Sequence, residues 1–258
     1  MFKFKKLFSV SKRRKKFWTR LAIVMRRAPL FVTAAYMRTA NASQQRRFEG
    51  ARREFEREVQ GDFRFTQRWF MGHIPSWLYV FEQLKFDFSS EFRALEIGSW
   101  QGLSALFLLK TFPNMRLTCV DTWAGSTEHL SPERELGAVL SSLEDDFDHN
   151  TRSGSERVSK FKGTSDAFFV SCDPKSKFRF IYIDGSHFSD EVLKDAINAF
   201  PLLEVGGVMV FDDYFWGYYN NLRENPMHAI NAFLQYQKGR YKILAITSQM
   251  IIQKTADA

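Results

Sequence analysis

Ile181-Tyr-Ile-Asp-Gly-Ser-His187 and Val208-Met-Val-Phe-Asp-Asp-Tyr214 share one pattern: a short apolar run that stops at carboxylates. A run that is apolar at nearly every position reads as a strand buried on both faces, the kind found in parallel sheets. Open α/β sheets carry their chemistry at the carboxyl ends of such strands. If these two strands are neighbours, Asp184, His187, Asp212 and Asp213 converge. Three carboxylates and one imidazole suit a hard divalent cation together with a general base.

The surrounding sequence alternates between apolar runs and helical segments. Strands are expected at 93–97, 116–121, 157–162, 178–184 and 207–212. Helices are expected at 102–111, 132–146, 165–171, 190–200 and 225–237. A last pair of runs, 241–246 and 250–253, reads as a hairpin that closes the sheet with an antiparallel strand. The fold class implied is α/β, a doubly wound and mostly parallel sheet. Ahead of it, 63–84 is rich in Phe and Trp and reads as a lid or a helix on the domain edge. Its His73 reads as a structural histidine, and 42–60 reads as a charged connecting helix. The expected division is a basic helical N-terminal extension, 1–60, and one domain, 61–258.

The formal net charge of +8 hides a division. Residues 1–53 hold sixteen Lys and Arg against one acid, Glu49, a net +15. The remaining 205 residues hold 21 against 28, a net −7. The arm, not the body, makes the chain basic, so nucleic-acid binding does not follow from the average. Within the arm, the apolar stretch 17–36 is broken by Arg20, Arg26 and Arg27. The longest uncharged run there, 28–37, is ten residues, against about 20 for a bilayer span. Three readings of the arm stand open. They are a basic tail that binds a partner, a peripheral helix on an anionic membrane through residues 1–40, and an organelle transit peptide. The expected location is cytoplasmic, with the membrane surface or an organelle as the variants these readings allow. The two cysteines, Cys119 and Cys172, have no metal-binding spacing and call for no oxidising compartment.

Upstream, Ala94-Leu-Glu-Ile-Gly-Ser-Trp-Gln-Gly-Leu-Ser104 reads as strand, glycine turn and helix start. Gly98 and Gly102 let backbone approach a ligand, and a helix start can receive an anionic group. The next strand ends on Asp121, 23 residues after Gly98, where an acid can hold ribose hydroxyls. Gly163-Thr-Ser-Asp166 follows the third strand. The series resembles the class I S-adenosylmethionine-dependent methyltransferases and their Rossmann-like sheet. Within them it is similar to the metal-dependent O-methyltransferases of the catechol, caffeoyl-CoA and macrolide-sugar types. The resemblance runs from 63 to the C-terminus and leaves the arm outside.

That resemblance implies roles for particular residues. Glu96, Gly98 and Ser99 line the methionine part of S-adenosylmethionine, and Ser104 meets its carboxylate. Asp121 holds the ribose, and Ser165 and Asp166 lie near the adenine. Trp123 covers the cofactor or belongs to the acceptor pocket. Asp184, Asp212 and Asp213 are implied as ligands of Mg²⁺ or a similar cation. His187 is implied as the base, where the catechol type has a lysine. The sequence departs from that type at Asp213, where asparagine is usual. Successive residues of an extended strand face opposite ways, so only one of Asp212 and Asp213 as a ligand is the alternative.

Methyl transfer from a sulfonium to a hydroxyl is an in-line displacement, helped when the oxygen is deprotonated and aligned. The expected function is S-adenosylmethionine-dependent, Mg²⁺-assisted O-methylation of a small-molecule, sugar or glycan hydroxyl. The alternative is an RNA-binding or RNA-modifying methyltransferase with the arm as an electrostatic handle. The body shows no aromatic single-strand platform and no Asn-Pro-Pro-Tyr-type signature, so nucleic acid ranks below a small molecule. Tyr214, Phe215, Trp216, Tyr218 and Tyr219 can stack on an acceptor or pack locally. His129, His149 and His228 read as structural or surface groups.

Overall fold

The structure is a computed structural model that describes residues 12–39, 46–125 and 137–257. Seven strands form its centre: Arg93–Ile97 (β1), Arg116–Asp121 (β2), Val158–Lys162 (β3), Phe178–Ile183 (β4), Leu203–Phe211 (β5), Tyr241–Ile246 (β6) and Met250–Lys254 (β7). They pair in the order β3-β2-β1-β4-β5-β7-β6. The first five run parallel, and β7 inserts antiparallel between β5 and β6. The strand order reverses between β1 and β4, which opens a crevice at their carboxyl ends. The expected doubly wound sheet with an antiparallel C-terminal strand is therefore present.

Helices cover both faces. Glu49–Glu58 (α3), Ile74–Gln83 (α4), Leu103–Thr111 (α5) and Leu143–Thr151 (α7) pack on one side. Lys12–Arg27 (α1), Leu30–Thr39 (α2), Ser165–Ser171 (α8), Ser189–Ala199 (α9) and Pro226–Tyr236 (α10) pack on the other. The short Gly137–Leu140 (α6) precedes α7. The two-residue period of the strands divides the core between these layers. On β4, Phe180 and Tyr182 join the first layer, Ile181 and Ile183 the second.

Several boundaries differ from expectation. The stretch 132–146 is not one helix: α6 and α7 are separated at 141–142, and 126–136 lies outside the described residues. β3 begins at Val158 because Arg152–Arg157 forms a 3₁₀ segment. Arg157 there donates to the carbonyls of Leu109 and Phe112, satisfying the carboxyl end of α5. The aromatic stretch 63–84 supplies a core helix, not an edge one. Trp77 of α4 is buried edge-on against Phe180 at 5.0 Å and Tyr182 at 4.9 Å. Burial of one such ring contributes about 1.5–3 kcal/mol.

The basic extension is docked on the body from residue 12 onward. Leu21, Val24, Val32 and Tyr36 are buried in the second layer. Asn231 of α10 donates to the Arg27 carbonyl at 3.0 Å, and the Ile246 amide donates to Thr39 Oγ1 at 3.0 Å. Among the described residues, no helix is long and apolar enough to cross a membrane.

β1 ends at the glycine turn. Gly98 has φ +83°, and a Cβ there would lie 2.1 Å from the Asp184 carbonyl oxygen just beyond β4. The turn and the first acidic strand end are thus in backbone contact. Gly98→Ala is expected to lower the unfolding free energy by about 2 kcal/mol or more, by strain and by displaced backbone. Urea denaturation of the two proteins measures it, and wild-type stability in the variant contradicts the packing described.

Candidate active site

A cavity of about 1120 Å³ opens at the carboxyl ends of the strands. The glycine turn 98–101, Asp121, the turn 163–166 and the segments after β4 and β5 line it. Trp69, Phe70, His73 and Ser76 close it from the side of α4, and Lys16 and Arg20 of α1 add two cations to the wall. The basic arm thus contributes to the cavity, which its sequence did not suggest.

The acidic end is built by strand geometry. β4 and β5 stop at Ile183 and Phe211, so Asp184 and Asp212 are the first residues beyond the sheet. Their amides continue the ladder: Asp184 donates to the Ile97 carbonyl at 2.8 Å and Asp212 to the Ile183 carbonyl at 3.0 Å. Tyr182 lies two residues before Asp184 and so shares its side of the strand. Its hydroxyl sits between Asp184 Oδ2, at 2.8 Å, and Asp212 Oδ2. Gln249 is buried behind it, donating to the Tyr182 oxygen at 3.4 Å and accepting from Trp77 Nε1 at 2.8 Å.

Asp213 leaves the extended conformation, with φ +51°. The turn lets its carboxylate meet His187, whose Nε2 lies 2.8 Å from Asp213 Oδ2. Trp216 stacks on the imidazole at 4.7 Å and 27°. Donor atoms of Asp184, His187 and Asp213 lie within 4.8 Å of one another. Asp212 is engaged differently. It meets Tyr182, accepts from the Asp213 amide at 2.8 Å and lies 3.6 Å from His73 Nε2. So of the four acidic-end residues expected from sequence, His187 joins Asp184 and Asp213, while Asp212, also at the cavity wall, turns toward Tyr182 and His73. Burial, then the negative charges of Asp212 and Asp213, push the Asp184 carboxyl well above the usual range, against the pull of His187.

On the other side, Gly98, Ser99, Ser104, Asp121, Ser165 and Asp166 all line the cavity. Glu96 is fully buried beneath them. It accepts from Ser104 Oγ at 2.5 Å and from Cys119 Sγ at 3.6 Å. Asp121 accepts from the amides of Ser99 and Trp100 through Oδ2, at 2.7 and 2.9 Å, and from the Trp123 amide through Oδ1, at 2.7 Å. Its carboxylate therefore holds the glycine turn in shape. Trp123 is buried against Phe147 at 5.0 Å, with its Nε1 donating to the Trp100 carbonyl. Asp166 pairs with Lys194 at 3.3 Å, and the cap of α8 is Thr164, which accepts from the Ala167 amide.

Sequence reasoning missed Tyr182, Asp195, Lys16 and Arg20. Tyr182 carried a signal, its spacing of two from Asp184. Asp195 is buried on α9 beside the cavity and bonds with Ser165. As one acid within a helix, it carried none. The aromatic run after β5 divides its duties. Tyr214 is buried and donates to Asn231 at 2.9 Å. Phe215 packs on Tyr36, Trp216 on His187, and Tyr219 on Phe188.

Residues 95–214, which span the glycine turn, Asp121 and both acidic strand ends, match the model of a family described as a methyltransferase domain. The matched stretch is thus a methyltransferase domain by its sequence. Solved structures share the fold of this chain. The O-methyltransferase TomG from Streptomyces achromogenes, determined with S-adenosylmethionine, superposes with a TM-score of 0.52 at 12% identity, over 96% of this chain and 100% of its own. MycE, a methyltransferase of the mycinamycin pathway determined with Mg, S-adenosylhomocysteine and mycinamycin VI, superposes with a TM-score of 0.50 at 16% identity, over 78% of this chain. The chain spans 54% of the length of MycE. No curated protein matches the sequence.

Burial pushes both Glu96 and Asp195 up to about 7. An unfolded glutamate loses its proton near 4.5. Between these values the folded state keeps a proton that the unfolded state has released, so stability falls as pH rises from about 4.5 to about 7. Glu96→Gln keeps an acceptor for Ser104 and removes the titration. It is expected to flatten the fall by an amount on the order of 3 kcal/mol, the free-energy equivalent of the Glu96 displacement. Urea unfolding across this pH range measures it, and an unaltered profile in the variant contradicts it.

Proposed function

We propose that this chain is a methyltransferase that transfers the methyl group of S-adenosylmethionine to a hydroxyl of a small molecule or sugar, assisted by Mg²⁺ or a similar divalent cation. One observation carries the reading: the donor atoms of Asp184, His187 and Asp213 lie within 4.8 Å of one another at the cavity that Gly98, Ser99 and Asp121 also line. The carboxylates of Asp184 and Asp213 would hold a divalent cation and leave His187 beside it as a base. Three neighbouring acids in a largely buried place repel one another, and a cation relieves that repulsion. When bound, the metal supplies positive charge that stabilises an oxyanion.

The remaining work falls to the chain's own groups. His187 takes the acceptor proton. Asp213, 2.8 Å from His187 Nε2, offsets the charge that develops on the ring, and Trp216 fixes its plane. In this reading Asp212 acts through Tyr182, holding Asp184 in place, and is not a first ligand. Gly98 and Ser99 receive the methionine part of the cofactor, and Ser104 acts by fixing Glu96. Asp121 keeps lone pairs for ribose hydroxyls beyond the amides it already accepts. Ser165 and Asp166 border the adenine. The aromatic walls from Trp69, Trp100 and Trp216 suit the face of a ring or sugar. The acidic cavity and the net −7 of the body favour an uncharged hydroxyl compound over RNA.

Transfer of labelled methyl groups from S-adenosylmethionine to catechol-type and sugar acceptors, with and without chelator, tests the reading. His187→Ala is expected to lower turnover by about 10²- to 10⁴-fold, and chelation to abolish it. Calorimetry should show cofactor affinity unchanged in the variant. Turnover indifferent to chelator or to His187→Ala, or methyl transfer to RNA alone, overturns it.

A further inference from the structure

The outer face of the N-terminal helix pair is unlike the rest of the surface. α1 and α2 bury Leu21, Val24, Val32 and Tyr36 against the body. Outside those contacts the pair leaves Trp18 61%, Met25 65%, Leu30 85% and Met37 61% exposed, with Phe31 at 36%. These side chains are not used to hold the pair on the domain. Exposed cations lie on the same two helices: Lys15, Arg26 and Arg38. A helix pair with large apolar side chains and exposed Lys and Arg is the composition that settles in a lipid headgroup region. Isolated exposed apolar residues need no explanation, whereas a contiguous patch does.

We propose that this face docks the chain on an anionic membrane surface. Charge complementarity selects the occupant. Residues 1–53 carry +15 and the other 205 carry −7, so an anionic bilayer attracts the arm and repels the body. The molecule is thereby oriented, not merely adsorbed. Lys16 and Arg20 of α1 line the cavity, with the Arg20 guanidinium over the Phe215 ring at 5.1 Å. The cavity wall and part of the docking face thus belong to one helix. The docking rests on the arm alone and stands whatever the acceptor proves to be.

Co-sedimentation of the full chain with vesicles tests the proposal, using phosphatidylcholine alone and phosphatidylcholine with phosphatidylglycerol. Binding is expected to be about tenfold or more tighter to the anionic vesicles and to weaken with salt. Trp18→Glu combined with Leu30→Glu is expected to cost about tenfold or more, while thermal stability and S-adenosylmethionine binding are retained. If that pair disturbs packing, the combined Lys15→Gln, Arg26→Gln and Arg38→Gln variant decides, with the same loss expected. Absence of wild-type vesicle binding, equal binding to both lipid compositions, or variants that bind like wild type overturn the proposal. So does self-association abolished by the glutamate pair, which assigns the face to a second copy, or RNA binding that outcompetes vesicles.

Discussion

Three carboxylates are forced together where β4 and β5 leave the sheet, and this constraint organises the molecule. Asp184 and Asp212 extend the hydrogen-bond ladder by one residue, so neither can retreat without undoing a strand end. The Tyr182 hydroxyl lies between them, and one O–H cannot donate to both at once. Behind the tyrosine, Gln249 and Trp77 complete a buried chain that reaches from the turn before β7 to α4. The core thus keeps the acids close although electrostatics opposes it. A fold that holds like charges at such range is prepared for a positive partner.

The same constraint ties the two halves of the cavity. Gly98 touches the Asp184 backbone so closely that no side chain fits between them. Asp121 then fixes the rest of the glycine turn through three backbone amides. A displacement at the acidic end therefore moves the cofactor side as well. Trp100, Trp123 and Asp213 all have φ near +50°, which non-glycine residues rarely adopt. Trp100 and Asp213 line the cavity, and backbone strain of this kind collects at functional sites.

Much of this was legible in the sequence, because strands buried on both faces advertise themselves as apolar runs. The sheet, the glycine turn, Asp121 and the convergence of Asp184, His187 and Asp213 follow from runs and what terminates them. What stayed hidden depends on tertiary context. Whether Asp212 or Asp213 turns toward His187 depends on a left-handed residue that aspartate only sometimes adopts. Trp77 and the other aromatic residues of 63–84 fit an edge helix as well as a core one until the sheet face they cover is known. The capping of α5 by Arg157 shortens β3 through a contact distant in sequence. The charge of the arm was evident, but not that its first helix would wall the cavity and also leave large apolar side chains uncovered.

The central claim is that the acids at the ends of β4 and β5 hold one divalent cation. Calorimetric titration of Mg²⁺ into the full chain with S-adenosylhomocysteine present, comparing wild type with Asp184→Ala and Asp213→Ala, tests it most directly. One saturable site in the wild type, lost in both variants, is the expected result. Absence of binding in the wild type, or binding that both variants retain undiminished, would contradict it.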